Sequence, residues 1–437
     1  MKDNKFIINL FSLLNKEDIE YCVLRNYQFL PKHTGGSDID LWVSTKDVPR
    51  LYIILEKIKN ETKSHLVSYL IDAHCPKVCY LNEKEGCQID IFKGNIYYQN
   101  NVLIAEQSIK KNIVSYKDIK ILDDYFANII AFLKEIINNG RCDDKYITPL
   151  YVNKNIYHKE YLQSKCSLFT PLFIEKFHNA IQQENIIKQI PILYKLAKKA
   201  IVKKNTKFNK IRKVKRLFQR PGYVIAVLGT DGSGKSTIIN SITPIINEAF
   251  HKSVIYNHLR PNVLPELGVL LGKKEKTNKP IIVTDPHAKK PSGLVGSIFR
   301  WGYYLLDYTL GYMKLVFPQI HTKSKVFIFD RYYYDYYIDQ RRSRTSLPQW
   351  ILHIGEYLIP TPDIILCLGG DPQKIYNRKP ETSLEEVIRQ NHVLHKFCHT
   401  HQKAVWIDTT TTTQKSIDAT MEAIIKMMAA RFEHTKL

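Results

Sequence analysis

The stretch VIAVLGTDGSGKSTII, Val224 to Ile239, decides the fold of the C-terminal half of this chain. Tyr223 and the apolar residues after it suit a short buried strand of a parallel sheet. STII opens a helix. Between the two, Gly229, Gly234, Lys235 and Ser236 satisfy the spacing G-x-x-x-x-G-K-[ST], in the strand, loop and helix context that this spacing requires. Gly229, Gly232, Ser233 and Gly234 let the backbone wrap closely around a phosphate chain. Successive N–H groups and the helix N-terminus then point at the anion. Lys235 is placed to reach the β- and γ-phosphates and Ser236 to ligate Mg²⁺, with Thr237 next in the first helical turn. The cofactors implied are ATP and Mg²⁺.

Working outward, KVFIFD ends a second apolar strand on Asp330, with Arg331 directly after it. A carboxylate at the C-terminal tip of a buried strand is where the metal-side acid of such a site belongs. SVIYN, DIILCL and AVWID supply three more strands. The expectation is a parallel sheet of five strands with flanking helices.

Taken together, GTDGSGKST, DRYYYD, PTPDIILCLGGDPQKIYNRK and VWID resemble the thymidylate kinase family of P-loop kinases, over roughly residues 222 to 430. The resemblance implies that Asp231 faces the acceptor and that Arg331 serves the acceptor or the transferred phosphate. It places Arg378 and Lys379 in a basic lid that stabilises charge on the moving group. The chain departs from that pattern on the acceptor side. NHLRPNVLP has Arg260 and Pro261 without the family's glutamate. LGKKEKTNKPIIVTDPHAKKPSG, which includes His287, has no counterpart in the compact nucleotide kinases. RYYYDYYIDQRRSR, with Tyr332 and Asp335, is rich in Tyr and Arg, which suit stacking and anion contacts or the packing of a helix. Two acceptors therefore stay open: a nucleoside monophosphate, or a sugar or glycan. HLRP, DPHAKKP and DRYYYD look like a branch of thymidylate kinase-like proteins found with bacterial surface-polysaccharide genes. A nucleotide-gated switch without transfer is a third reading.

In the N-terminal part, GGSDIDLWV sets Asp38 and Asp40 two apart on a strand, so both carboxylates share one face. CQIDIF brings Asp90 on a later strand. Three acids converging from two strands suit a pair of Mg²⁺ ions and in-line nucleotidyl transfer. The set resembles the minimal nucleotidyltransferase fold over roughly residues 1 to 145. Where that family carries a Gly-Ser pair, this chain has Leu24, Arg25 and Asn26, and a bulky Arg25 keeps the backbone off a phosphate. The readings are an active nucleotidyltransferase, a binding module on the same fold, or a chance resemblance.

The whole chain is 437 residues with 44% hydrophobic residues, enough for more than one core, and its net charge of +22 favours anionic partners. Residues 195 to 220 carry twelve Lys and Arg and no acid. This divides the chain into a nucleotidyltransferase-like α/β domain over 1–145, a helical basic connector over 146–220 and a P-loop kinase domain over 221–437. The connector suits a solvated linker, an anionic membrane surface or a polyanionic substrate. No nucleic-acid motif accompanies it. Eight scattered cysteines fit reduced thiols, although His74, Cys75, Cys79 and Cys87 are conceivable zinc ligands. The N-terminus lacks the apolar core and cleavage site of a signal peptide. SGLVGSIFRWGYYLLDYTLGYMKLVF is interrupted by Arg300, Asp307 and Lys314 and reads as a buried or groove-lining helix. The expected location is cytoplasmic, peripheral at a membrane through residues 195–220.

Overall fold

The computed structural model describes residues 3–98, 101–166, 168–201, 219–265, 267–270 and 291–435. His287 and most of the basic stretch 195–220 lie outside them.

The C-terminal half is built on β10 (Tyr223–Gly229), β11 (Val254–His258), β12 (Val326–Asp330), β13 (Ile364–Gly369) and β14 (Ala404–Asp408). All five run parallel, in the order β11-β12-β10-β13-β14. β10, β12 and β13 are buried along their whole length, as the unbroken apolar runs require. The strand that feeds the glycine-rich loop is therefore the middle one. The register sets Val227 and His258 on either side of Asp330. Helices cover both faces, so this half has a P-loop kinase fold.

The N-terminal half is a mixed sheet of β1 (Tyr21–Val23), β2 (Ile39–Val43), β3 (His65–Leu70), β4 (Lys77–Leu81), β5 (Gly86–Lys93), β8 (Ile113–Tyr116) and β9 (Ile119–Leu122). Its order is β3-β4-β5-β2-β1-β9-β8, with a separate hairpin of β6 (Ile96–Tyr98) and β7 (Asn101–Ile104). Alternation along the strands divides the side chains. Val23, Leu41 and Ile91 face one core, and Cys22, Trp42 and Phe92 face another formed with the helices of residues 124–200. The first of those helices, Asp124–Asn139, starts on Asp123, whose side chain accepts the Phe126 N–H, and stops at Gly140 with φ of 64°. Cys79 and Cys87 are buried in the sheet as free thiols.

The two halves share one hydrophobic core. Ile238, Ile242 and Ile246, on the helix Lys235–Ala249 after the glycine-rich loop, belong to the same cluster as Val78, Tyr80 and Ile89. The contact is close at Gly86 of β5, where a Cβ atom would come 2.8 Å from the Cβ of Ala249. Glu248 accepts the Gly86 N–H at 3.2 Å. Tyr223 of β10 donates its hydroxyl to the Val67 carbonyl of β3 at 2.6 Å.

Residues 294–322 form one rod: a helix over Leu294–Leu306, a π-helical stretch over Asp307–Val316 and a helix over Phe317–Thr322. The expectation of a buried or groove-lining helix holds for one side only. Tyr308, Tyr312, Val316 and Ile320 are buried, whereas Val295, Phe299, Leu306 and Leu310 face outward and are exposed. No described helix is long and apolar enough to cross a membrane.

Candidate phosphate-loop and carboxylate sites

Gly232 and Gly234 take φ values of 80° and 84°, a region that side-chain-bearing residues rarely adopt. The loop therefore curls tightly ahead of the helix, with the Ser233 N–H on the Thr230 carbonyl at 3.2 Å. Gly232 also has no room for a side chain: a Cβ there would lie 2.6 Å from the Ile375 carbonyl. Lys235 is buried and folds back along the loop, donating to the Gly229 and Thr230 carbonyls at 2.8 Å each. Burial, with the nearby Arg331 guanidinium, lowers its pKa to about 7. Ser236 and Thr237 are exposed in the first helical turn. Thr230 Oγ1, Ser233 Oγ and Asp330 Oδ1 are buried without a hydrogen-bond partner among the described residues. A tight glycine-rich loop, a lysine amine held on two neutral carbonyls with no carboxylate partner among the described residues, and an orphaned carboxylate oxygen at the strand tip fit a Mg²⁺-bound triphosphate. Lys235, Ser236 and Asp330 are the residues that would hold it.

Asp330 receives the Tyr256 hydroxyl at 3.1 Å, and the His258 ring lies 3.8 Å away. Burial raises its pKa, but His258, Lys235 and Arg331 outweigh burial and hold it below the ordinary carboxylate range. Arg331 follows with a φ of 68°, unusual for a residue with a side chain, and this turns its guanidinium back beneath the loop. There it donates to Asp231 at 2.8 Å and to Asp335 at 2.9 Å. Asp231 also pairs with Arg342. Burial pushes the Asp231 carboxyl up; Arg331, Lys235 and Arg342 together bring it below its usual value. Arg378, at the end of the helix Pro372–Arg378, donates to the Thr409 carbonyl at 2.8 Å. Lys379 pairs with Glu381 at 2.9 Å.

Other residues expected on the acceptor side are placed differently. Tyr332 is a core residue, and its hydroxyl goes to the Pro360 carbonyl at 2.7 Å. It does not face the loop. Asp335 is buried and reaches the site only through Arg331. Arg260 is buried on Asp307 at 2.6 Å and stacks over the Tyr304 ring. Asp307, fully buried, also accepts the N–H groups of Asn262, Val263 and Leu264 at 2.8 to 3.1 Å. It organises the loop after β11, and the sequence reading gave it no such part. The available signal was a lone acid in an apolar run, which demands a buried partner. Arg342, within the quoted RRSR, was likewise not singled out.

In the N-terminal half, the ligand atoms of Asp38, Asp40 and Asp90 lie within 4.8 Å of one another. Asp40 and Asp90 stand opposite each other in the parallel β2/β5 register. Arg25 pairs with Asp40, and Lys77 pairs with Asp90. Arg25 thus stands on a carboxylate rather than open to a phosphate. Burial raises the Asp40 pKa, but Lys134 and Arg25 outweigh it and the net shift is downward. At Asp90 burial prevails, helped by Asp40 and Asp38 against Lys77, and the pKa is raised. Asp40 Oδ1 is buried and unpartnered among the described residues, so the cluster retains acceptor capacity for a divalent cation.

No family model and no curated protein matches the chain. Among solved structures, the thymidylate kinase of Ehrlichia chaffeensis is similar to it at 16% identity and a TM-score of 0.32, over 48% of this chain and all of that one.

Proposed function

We propose that the C-terminal half is an ATP- and Mg²⁺-dependent phosphotransferase of the nucleoside monophosphate kinase type. The observation that carries this reading is the buried Lys235, held on two neutral carbonyls beside the orphaned Asp330 oxygen. Such a site lacks an anion and has a place for a metal. In the proposed reaction an acceptor oxygen attacks the γ-phosphorus, the bond to the β–γ bridging oxygen breaks, and its electron pair leaves with ADP. Lys235 and the loop N–H groups hold the phosphates, Ser236 and Asp330 hold Mg²⁺, and Arg331 and Arg378 neutralise the transferred group. Asp231, between Arg331 and Arg342, faces the acceptor.

A nucleotide-like acceptor is the first reading. A second is a sugar or polysaccharide hydroxyl. It is favoured by Arg260 and Tyr332 being drawn into the protein, which removes two side chains expected to contact the phosphate or base of a nucleotide acceptor. The test is transfer of labelled γ-phosphate from ATP to dTMP, other nucleoside monophosphates, sugars and glycan extracts, with Lys235→Ala as blank. Labelled nucleotide supports the first reading, and labelled glycan alone the second. Slow hydrolysis indifferent to every acceptor rejects both in favour of a nucleotide-gated switch.

For the N-terminal half we infer a role on the same substrate, with Asp38, Asp40 and Asp90 holding Mg²⁺ for nucleotidyl transfer or for substrate binding. Asp38→Ala with Asp40→Ala is expected to weaken acceptor affinity or abolish a second activity. Unchanged values for both would reject the link.

A further inference from the structure

The outer side of the rod 294–316 is apolar and faces solvent. Val295, Phe299 and Leu306 recur at intervals of four and seven residues, so they line one side of the α-helical part, and Leu310 and Met313 of the π-helical stretch are exposed as well. Val295 is 82% and Phe299 60% exposed. A second helix, Gln349–Leu358, turns Trp350, Ile354, Tyr357 and Leu358 outward, and Tyr357 is 91% exposed. The two helices meet at Trp301. Its indole N–H donates to the Tyr333 hydroxyl at 2.9 Å, and a Cβ on Gly355 would lie 2.7 Å from its ring. The two exposed apolar faces therefore stand on helices in direct contact, and together they carry more large exposed apolar side chains than a scattered surface produces.

Within these two elements the charges left unpaired among the described residues have one sign. The only acids in these two elements are Asp307 and Glu356. Asp307 is fully buried under Arg260, and Glu356 is taken by His401 at 2.8 Å and the Tyr337 hydroxyl at 2.9 Å. Arg300 and Lys314 lie on the rod, with Lys323 and Lys325 just past its end. Exposed Trp and Tyr add the residue types that favour a boundary between apolar and wet surroundings.

We propose that these two helix faces dock on an anionic lipid bilayer, lying in its interface. Interfacial helices combine apolar residues, aromatic residues and flanking cations in this way. A second copy of the chain fits less well. A two-fold interface sets each patch against itself, and the described residues of these two helices offer Arg300 and Lys314 no exposed acid, between chains of net charge +22. The inner side of the same rod holds the loop after β11, through Asp307 and through the Tyr308 hydroxyl on Leu259 at 2.7 Å. On the acceptor-side reading above, docking sets the acceptor about one helix diameter, ~10 Å, from the headgroups. The docking itself does not depend on that reading.

The test uses the full chain without nucleotide. Co-sedimentation is measured with vesicles of phosphatidylcholine alone or mixed with phosphatidylglycerol. The expected result is binding to the anionic vesicles that weakens with salt, and at least a tenfold lower partition for Phe299→Ser with Met313→Ser and Tyr357→Ser. That variant keeps every Lys and Arg of residues 195–220, so undiminished binding would locate the contact elsewhere and overturn the proposal. A second readout needs no multiple variant: brominated lipid should quench a part of the tryptophan emission that Trp350→Phe removes. Absence of vesicle binding overturns the proposal, and so does a dimer in light scattering that the triple variant dissociates.

Discussion

The phosphate loop and the carboxylate cluster both gather buried charge at strand ends, but they leave it in opposite states. In the loop, Lys235 rests on two carbonyl oxygens, and its pKa falls to about 7. In the cluster each buried acid has its own cation, Arg25 on Asp40 and Lys77 on Asp90, and the Lys77 pKa is raised: burial pulls it down, and Asp90 more than restores it. In the first site Lys235 has only neutral hydrogen-bond partners among the described residues, so an anion from outside would give it the partner it lacks. The second is close to neutral already, and a divalent cation entering it competes with the Arg25 guanidinium and the Lys77 ammonium. The sign and size of the uncompensated charge tell which ligand a site awaits, and they separate the two sites more sharply than their motifs do.

The largest effect should come from Lys235→Ala. Phosphoryl transfer should fall on the order of 10³-fold or more, the scale seen when a transition-state cation is removed. Ligand-free stability should not fall, because a desolvated amine is removed with the side chain. A large loss of melting temperature with little loss of transfer would invert the comparison. The same site predicts a proton linkage. The folded pKa of Lys235 near 7 lies below its unfolded value of about 10.4, so between those pH values the unfolded chain binds more protons. Lys235 therefore makes the ligand-free fold gain stability as pH rises through that window. An anionic nucleotide restores the ammonium, so binding at pH 8 should take up a proton. Calorimetry in buffers of different ionisation heat measures it. Zero uptake would mean that Lys235 is already charged in the empty site.

Asp307→Asn comes next. The side chain is fully buried, pairs with Arg260 and caps three N–H groups. Losing one partner of a buried pair costs about 3 kcal/mol or more. Chemical denaturation should show this, together with weaker acceptor binding and unchanged nucleotide binding.

Much of this was legible in the sequence, for a physical reason. The three central strands β10, β12 and β13 are nearly unbroken apolar runs because helices cover both faces, and the loop between β10 and its helix is fixed by residues that few other backbones tolerate. Asp38, Asp40 and Asp90 were readable as one group because strand alternation dictates it. The destinations of long polar side chains were not. Arg260 goes to Asp307, 47 positions away, Arg342 to Asp231 and Arg25 to Asp40, and only packing of the assembled elements selects these partners. Tyr332 in DRYYYD reads equally as a site or a core residue, and burial decides for the core. The common core of the two halves was also hidden, because nothing local marks Gly86 as the point where a helix end lands on a strand.

Gly86 gives a smaller test. Gly86→Val should overpack the Ala249 contact and cost about 1–3 kcal/mol. If the two halves fold as one body, unfolding should remain a single transition that shifts as a whole. If the N-terminal half loosens alone, two transitions will separate, and the two sites are then mechanically independent.

The smallest effect is at Asp38, the partly exposed member of the cluster. Asp38→Asn should change stability by less than about 0.5 kcal/mol, as expected for a site away from the core. Its reading lies in the response to metal. Mg²⁺ without nucleotide at about ten times its dissociation constant should stabilise the native chain by about 1.4 kcal/mol. Asp38→Asn should remove that gain, and Lys235→Ala should keep it. Asp40 and Asp90 keep their cations in the variant, so its loss cannot come from a broken ion pair. A gain that survives Asp38→Asn would show that Arg25 and Lys77 already satisfy the acids, and the cluster would then be a structural ion-pair network rather than a metal site.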